Sequence, residues 1–270
     1  MPESVVLLHG FAGTRRAWDG VIDRLPPERC RPLALDLPGH GEYADAPRPI
    51  TFAGCVAHVL ARSPERFALG GYSLGGRVAL HVALAAPERV SRLVLVASAP
   101  GIEDPDERAA RSARDRRLAD ELERAPYEQF VARWCSQPMF AGDPPEVDRL
   151  AREDYRRNRP DAVAAVLRGI GAGEMAPLWN RLTELTMPVT ILVGARDTKF
   201  QALARRMAAL PPDACTEVVS GGHRLPLENP AGVADTIGLT ADRARRSGAF
   251  QLAGPCSDFP AGGKEGLPPR

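Results

Sequence analysis

Six short apolar segments alternate along the chain with longer segments of helical periodicity. The apolar segments occupy residues 5–8, 33–35, 67–72, 90–97, 189–194 and 216–220, and several are apolar at successive positions. Uninterrupted apolar runs are typical of strands that are covered on both faces, as in parallel sheets. Parallel strands joined through helices need right-handed crossovers, so the pattern predicts an α/β fold with a mostly parallel sheet flanked by helices.

The alternation stops between residues 100 and 185, where one helical pattern follows another. We therefore expect an α/β core formed by residues 1–99 and 186–245, with residues 100–185 inserted as an all-helical cap. Such an insertion should lie at the carboxyl edge of the sheet, where open α/β sheets bind ligands. Residues 246–270 contain nine Gly and Pro among 25 residues and have no apolar periodicity, which predicts a disordered tail.

The 35 basic and 34 acidic residues give a formal net charge of +1, and the balance holds along most of the chain. Nucleic acid and anionic membranes are therefore not expected as partners. No apolar stretch approaches the ~20 residues of a membrane span, and no signal peptide precedes the first strand. The five cysteines are scattered and never in a CxxC spacing. We expect a cytoplasmic protein without a disulfide framework or a metal site, and the oligomeric state stays open.

Residues 71–76 read Gly-Tyr-Ser-Leu-Gly-Gly, a G-x-S-x-G motif that follows a predicted strand and opens a predicted helix. This context places Ser73 on a tight turn, where the flanking glycines let the backbone pass without Cβ clashes. The N-terminus of the helix directs free N–H groups at whatever the serine hydroxyl approaches. We therefore interpret Ser73 as a catalytic residue.

A catalytic serine needs a base, and a histidine base needs a carboxylate that orients it. Asp197 follows the predicted strand 189–194, and His223 follows the predicted strand 216–220. All three residues thus lie at carboxyl ends of strands, in the order Ser, Asp, His that is typical of α/β hydrolases. The sequence predicts that they form a catalytic triad.

The first strand is followed directly by His9-Gly10-Phe11. In folds of this kind the same position supplies a backbone N–H to an oxyanion hole, together with the N–H of the residue after the serine. We therefore predict an oxyanion hole formed by the backbone N–H groups of Phe11 and Leu74.

Through these motifs and their order, residues 4–238 resemble the α/β-hydrolase superfamily. The first strand begins almost at residue 1, so the two strands that often precede it in the superfamily are not expected. The resemblance implies an α/β-hydrolase fold with a correspondingly small sheet.

Three segments carry a narrower resemblance. They are residues 71–79 around the serine, residues 134–140 (Trp-Cys-Ser-Gln-Pro-Met-Phe) and residues 194–200 (Gly-Ala-Arg-Asp-Thr-Lys-Phe). Together they are similar to the 2-succinyl-6-hydroxy-2,4-cyclohexadiene-1-carboxylate synthases of menaquinone biosynthesis. This implies a lyase that eliminates pyruvate from 2-succinyl-5-enolpyruvyl-6-hydroxy-3-cyclohexene-1-carboxylate, with no cofactor, no metal and a small polycarboxylate as its partner.

The resemblance also assigns substrate-binding residues. Positions that match the family's substrate contacts are Arg77, Arg111, either Arg156 or Arg157, Tyr72 and Trp134. Bidentate guanidinium groups suit a substrate with several carboxylates in an otherwise apolar pocket. The alternative for an arginine in the charged segment 103–124 is a solvated, ion-paired helix face. Glu42 departs from the family pattern, in which Ser is common after the Pro-Gly-His-Gly turn.

Two other functions stay open. The same triad could serve a carboxylesterase, a thioesterase or a C–C bond hydrolase that forms a covalent acyl-enzyme. A binding protein that has kept the fold without turnover is disfavoured by the intact triad. In the lyase mechanism His223 and Asp197 help Ser73 to remove a ring proton, and the oxyanion hole binds the carbonyl that receives the charge.

Overall fold

The computed structural model describes residues 2–247, with side chains described up to residue 238. Its centre is a six-stranded sheet in which all paired strands are parallel. The predicted α/β architecture with a parallel sheet is therefore confirmed. The strands are β1 (Glu3–Leu8), β2 (Cys30–Leu35), β3 (Phe67–Tyr72), β4 (Val90–Val96), β5 (Val189–Gly194) and β6 (Ala214–Val219).

The strand order is β2-β1-β3-β4-β5-β6, so the direction of winding reverses between β1 and β3. In open α/β sheets the crevice at such a reversal, outside the carboxyl ends of the strands, is the place where ligands bind. Leu8 at the end of β1 is paired with Gly71 near the end of β3. The loop after β1 and the serine turn after β3 therefore leave the sheet side by side.

Helices connect the strands and cover both faces of the sheet. The α-helices are α1 (Asp19–Ile22), α2 (Phe52–Arg62), α3 (Leu74–Ala85), α4 (Pro105–Arg124), α5 (Tyr127–Cys135), α6 (Pro145–Tyr155), α7 (Pro160–Ile170), α8 (Thr198–Ala208), α9 (Leu225–Glu228) and α10 (Pro230–Ser247). Short 3₁₀ helices occupy Arg15–Trp18, Gly41–Tyr43, Pro138–Phe140 and Trp179–Glu184.

Side chains that alternate along each strand build a core on either side of the sheet. In β1, Val6 and Leu8 join the cluster that includes buried residues of α2, α3 and α8. Val5 and Leu7 point the other way, into the cluster formed with α1 and α10. Strands covered on both faces need apolar residues at successive positions, which explains the apolar runs that reveal the sheet.

Between β4 and β5 the chain is helical, with α4 to α7 and the 3₁₀ helices Pro138–Phe140 and Trp179–Glu184. The four α-helices share a third apolar cluster, which also contains Ala12 from the loop after β1, whereas Trp179 and Leu182 join the cluster of α2, α3 and α8. The helical segment therefore packs on the carboxyl edge of the sheet. Its treatment as a separate cap, residues 100–185, stays a proposal.

The C-terminal helix α10 continues to Ser247, two residues into the predicted tail. The remainder of that tail, residues 248–270, lies outside the described residues. Within residues 2–247, no helix combines the length and the apolar character needed to cross a membrane.

Candidate active site

Ser73 occupies the turn between β3 and α3 in a conformation that L-residues rarely adopt, with φ 52° and ψ −107°. Two bonds hold its backbone in this conformation. Its N–H donates to the Val96 carbonyl at 2.9 Å, and its own carbonyl accepts the Ser98 hydroxyl at 2.8 Å. A positive φ held in this way at a strand-to-helix turn is a feature of functional sites, where it exposes the side chain.

The glycines around Ser73 are required by close approaches of the backbone. A Cβ on Gly75 would overlap the carbonyl of Leu8, and a Cβ on Gly71 would overlap the carbonyl of Gly75. A Cβ on Gly76 would overlap the side chain of Ser98. The spacing of the sequence motif thus reflects the tight packing of α3 against the ends of β1 and β3.

The structure brings the three predicted triad residues together. The Nδ1 of His223 lies 2.7 Å from the Oδ2 of Asp197, and its Nε2 lies 3.3 Å from the Ser73 hydroxyl. Asp197 precedes α8 directly after β5, and His223 lies in the loop after β6. With Nδ1–H donating to the carboxylate, Nε2 is free to accept the serine proton, which is the arrangement of a nucleophile, its base and an orienting acid.

The His223 ring is buried among aromatic rings. The ring centroids of Phe200, Tyr72 and Phe140 lie 4.7, 5.6 and 5.9 Å from that of His223. Burial, together with the nearby Tyr155, raises the pKa of Tyr72 well above its usual value, so that its phenol stays neutral. Tyr72, a predicted substrate contact, thus lies beside the imidazole as a neutral phenol.

Arg224, which the sequence analysis did not single out, is almost completely buried next to His223. Its guanidinium donates to Asp143 at 2.8 Å and to the Tyr155 hydroxyl at 3.3 Å, and it lies 3.7 Å above the Phe140 ring. These contacts tie the histidine loop to the helical segment. In the sequence, Arg224 is visible only as a basic residue directly after the predicted histidine. That position does not reveal its buried partner, which lies 81 residues away in the chain.

The two predicted oxyanion-hole donors lie on neighbouring pieces of backbone. Gly75, which follows Leu74, packs against the carbonyls of Leu8 and His9, which lead into Phe11. Within the described part of the chain, neither the Phe11 N–H nor the Leu74 N–H has a hydrogen-bond acceptor. Both donors are therefore available to a ligand.

Arg77 and Arg111 both approach the C-terminal end of α7, because Arg77 binds the Ile170 carbonyl and the partner of Arg111, Asp115, lies beside Gly171. The half-buried Arg77 donates from Nη1 to the Ile170 carbonyl at 3.3 Å. Burial and the Arg111 charge lower its pKa to about 10, so it stays protonated at neutral pH. Arg111 donates from Nε to Asp115 at 2.8 Å. Among the described residues the other Arg77 N–H groups have no acceptor.

The structure does not bring Arg156 or Arg157 to the triad. Arg156 is 47% exposed and paired with Glu128, and Arg157 is equally exposed with its Nε 3.9 Å from Asp154. Both residues follow the C-terminal end of α6, where their side chains turn towards acids of the helical segment. Their assignment as substrate ligands stays a prediction.

Trp134 is placed beside the oxyanion loop. Its ring centroid lies 4.8 Å from that of Phe11 and 6.2 Å from that of Phe140. Its indole N–H is buried and finds no acceptor among the described residues. A buried donor without an acceptor is costly, so a ligand that accepts its hydrogen bond would be favoured there.

In the part of the chain that the structure describes, no group of three or more His, Cys, Asp or Glu side chains has an arrangement that could hold a metal ion.

Comparison with known proteins places the chain in a family. The model of the α/β hydrolase family matches residues 5–236. A 2-succinyl-6-hydroxy-2,4-cyclohexadiene-1-carboxylate synthase of Salmonella paratyphi C is 34% identical over 238 residues, which cover 87% of this chain and 92% of that protein. The chain belongs to this synthase family. A Bacillus subtilis protein given the same name provisionally is 36% identical over 84% of this chain and 86% of its own length.

Solved structures have the same fold. MenH from S. aureus superposes with a TM-score of 0.84 at 30% identity, over 90% of this chain and 94% of that one. A malate-bound thermophilic esterase from Thermogutta terrifontis gives 0.74 at 26% identity, over 90% and 91%. The predicted α/β-hydrolase fold and the predicted resemblance to the synthases are both confirmed.

Proposed function

We propose that this chain is a lyase that eliminates pyruvate from 2-succinyl-5-enolpyruvyl-6-hydroxy-3-cyclohexene-1-carboxylate, using Ser73, His223 and Asp197. The observation that carries this proposal is that two guanidinium groups approach the C-terminal end of α7. Arg77, from the helix after the serine, donates to the Ile170 carbonyl, and Arg111, from α4, binds Asp115 beside Gly171. The family membership supports the same activity. A cytoplasmic location, which the sequence predicts, belongs to this proposal.

The guanidinium pair fits a substrate with several carboxylates. Arg77 begins the second turn of α3, and its N–H donates to the Ser73 carbonyl at 3.2 Å. Two like charges held close together repel each other unless an anion lies between them, so their free N–H groups favour a carboxylate. Asp115 uses only the Nε of Arg111 and leaves the two Nη groups for a bidentate contact.

The first chemical step is removal of a ring proton. His223, oriented by Asp197, accepts the Ser73 proton and so makes the serine oxygen a base. That oxygen takes the ring proton next to the succinyl ketone, and the negative charge spreads into the ketone oxygen. The N–H groups of Phe11 and Leu74 stabilise this oxygen, as an oxyanion hole does in acyl transfer.

The second step breaks the bond to the leaving group. The electron pair returns from the ketone oxygen to the ring and forms the second ring double bond as the allylic C–O bond breaks. The departing enolpyruvate takes up the proton that His223 received from Ser73 and becomes pyruvate. No water is consumed and no covalent serine intermediate forms.

The second candidate function is hydrolysis of esters, thioesters or C–C bonds through an acyl-Ser73 intermediate. Its support is the same triad geometry and the likeness to the Thermogutta esterase. This candidate does not account for a half-buried, unpaired Arg77, since an uncharged ester gains little from a guanidinium group.

The test supplies purified protein with the enolpyruvyl precursor and follows pyruvate, with a series of p-nitrophenyl esters measured in parallel. Pyruvate release with negligible ester turnover supports the lyase. Ester turnover without pyruvate supports the hydrolase, and turnover of neither substrate supports a binding protein.

A further inference from the structure

Ala12 directly follows the proposed oxyanion-hole residue Phe11 and has an unusual backbone. Its φ is 60°, in the left-handed region, although it carries a Cβ and is fully buried. Only a few non-glycine residues adopt this region, and a structure that keeps one there must hold it. The contacts that hold Ala12 therefore also determine the path of the chain on leaving Phe11.

Side chains from two other parts of the molecule bind both backbone polar groups of Ala12. Its N–H donates to the Nε2 of His40 at 3.3 Å, and its carbonyl accepts the Nδ2 of Asn158 at 2.6 Å. Burial, together with the neighbouring His9, lowers the pKa of His40 well below its usual value. A neutral imidazole is required here, because only an unprotonated Nε2 accepts a hydrogen bond.

Asn158 lies in the helical segment, between α6 and α7, and is 6% exposed. Its amide joins two loops of the α/β core, since its Oδ1 accepts the Gly41 N–H at 2.8 Å while its Nδ2 donates to the Ala12 carbonyl. The side chains before and after it, Arg157 and Arg159, are about half exposed and approach acids. Arg159 reaches the core only through an exposed pair with Asp45, so Asn158 is the buried contact of this run with the core.

We infer that Asn158 is a positioning residue for the oxyanion hole, which acts by holding Ala12 at positive φ and so fixing the backbone of Phe11. The inference rests on the proposed function only in using its oxyanion hole. Because the Asn158–Ala12 hydrogen bond comes from the helical segment, the Phe11 N–H would be correctly placed only while that segment lies on the core.

The expected effect appears in kcat. An oxyanion hole acts where charge develops, so a misplaced Phe11 N–H should weaken the transition state more than the bound substrate. Losing one donor outright costs ~10²–10³ in kcat, so a displaced donor should cost at least about tenfold. KM should stay within about threefold, since the ground-state carbonyl gains little from the donor.

Two substitutions separate the bond to Ala12 from the rest of the side chain. Asn158→Asp keeps an acceptor for the Gly41 N–H but has no donor for the Ala12 carbonyl. Asn158→Ala removes both bonds. Both variants should lose at least about tenfold in kcat with little change in KM. The matched control is Arg159→Ala, the next residue, whose exposed ion pairs should contribute little.

A rescue distinguishes positioning from general stability. Glycine adopts φ near +60° without a Cβ penalty, so Ala12→Gly should restore part of the lost conformation in the Asn158→Ala background. We expect kcat of the double variant to recover by about threefold or more over Asn158→Ala, measured against Ala12→Gly alone.

The inference is overturned if both Asn158 variants keep kcat within about threefold of the parent. It is equally overturned if the fraction of unfolded protein at the assay temperature accounts for the whole loss, or if Ala12→Gly restores nothing. Pyruvate release and ester turnover should both be measured. A parent that turns over esters only would contradict the proposed function, while the ratio of variant to parent still tests Asn158.

Discussion

Ser73 shows how single residues are fixed at this site before substrate arrives. Both of its backbone polar groups are bound, to Val96 and Ser98, and its hydroxyl lies 3.3 Å from the His223 imidazole. A hydroxyl held in this way needs little rearrangement when the reaction begins, which is the basis of catalysis by preorganisation.

The first prediction concerns the triad. His223→Ala and Asp197→Asn should each lower kcat by several orders of magnitude, because members of one catalytic unit fail together. The protein should stay folded, since both side chains lie in connections at the carboxyl edge of the sheet and not on its strands. Measurement of kcat and Tm on each variant checks this. A correctly folded His223→Ala protein with near-parental activity would contradict the assignment of the triad.

The second prediction concerns charge. Arg77→Ala should weaken transition-state binding by roughly 2–5 kcal/mol, the range for breaking a buried charge pair. Arg77→Lys should restore only part of this, because a point charge cannot reproduce a planar fork. The control is Arg149→Ala, which removes an exposed arginine paired within α6.

The measurement is kcat/KM for pyruvate release by the three arginine variants and the parent. A change below about threefold in Arg77→Ala, or ~0.6 kcal/mol, is inconsistent with a carboxylate clamp.

The sequence alone predicts the location of residues that directly follow a strand. Ser73, Asp197 and His223 each follow a parallel strand, and such strands deliver their ends to one edge of the sheet. Arg224 and Asn158 could not be found in this way. Their roles depend on partners 81 and 146 residues distant in the chain, which no local pattern encodes.

At the scale of elements, prediction succeeded best in the middle of the sheet. The apolar runs 67–72 and 189–194 coincide with β3 and β5, whose residues are all buried. The edge strands β2 and β6 begin before their predicted starts, because positions open to solvent interrupt the apolar run. The last of the helical patterns expected between residues 100 and 185 forms only the 3₁₀ helix Trp179–Glu184, since Pro177 disfavours helical backbone at its predecessor.

The third prediction tests the packing of α3 on the sheet. Gly75→Ala should lower the free energy of unfolding by about 1–3 kcal/mol or more, because its Cβ would overlap the Leu8 carbonyl. Gly238→Ala in α10 is the matched control. Its Cβ would meet Pro26 at 3.6 Å, an ordinary contact, so stability should stay level or rise by up to ~1 kcal/mol. Urea unfolding measures the free energy of unfolding of both variants, and equal values would contradict the packing argument.

The fourth prediction concerns Asp154, whose carboxylate joins α6 to Thr14 near the oxyanion loop. Burial raises its pKa to about 6, against the opposing effect of the Thr14 hydrogen bonds. Folding therefore favours the protonated form, and this contribution is greatest below the unfolded pKa near ~4 and is lost as pH rises through about 6.

Unfolding in urea at two pH values checks the sign. The stability of the parent relative to Asp154→Asn should increase by about 1 kcal/mol between pH 7 and pH 5. A difference that stays constant, or that decreases on acidification, contradicts the account of this carboxylate.

At the scale of the whole molecule, the described structure is one parallel sheet with a helical segment on its carboxyl edge. The parallel sheet and its helices follow from the alternation in the sequence. The sequence also predicts a helical segment at the carboxyl edge, but not the contacts that hold it there, because these are single pairs such as the buried Arg224 and Asp143. Such pairs leave no periodic signal.

The fifth prediction concerns the C-terminal residues. The family match ends at residue 236, and the composition of residues 246–270 offers little apolar surface to offset the entropy of ordering. A chain that ends near Arg246 should match the full chain in kcat/KM and Tm. A chain that ends at Asn229 is the control, since it loses the buried Val233 and Ile237. A large loss in the longer variant would show that the removed residues contribute to the fold or the site.

The central claim is that Ser73 serves an elimination that releases pyruvate from a polycarboxylate. Its most direct test is the rate of pyruvate formation from the enolpyruvyl precursor by the parent and by Ser73→Ala, purified identically. The account predicts one pyruvate for each cyclohexadiene formed by the parent, and a rate lower by several orders of magnitude for Ser73→Ala. Equal rates in the two proteins, or no pyruvate from a folded parent, would contradict it.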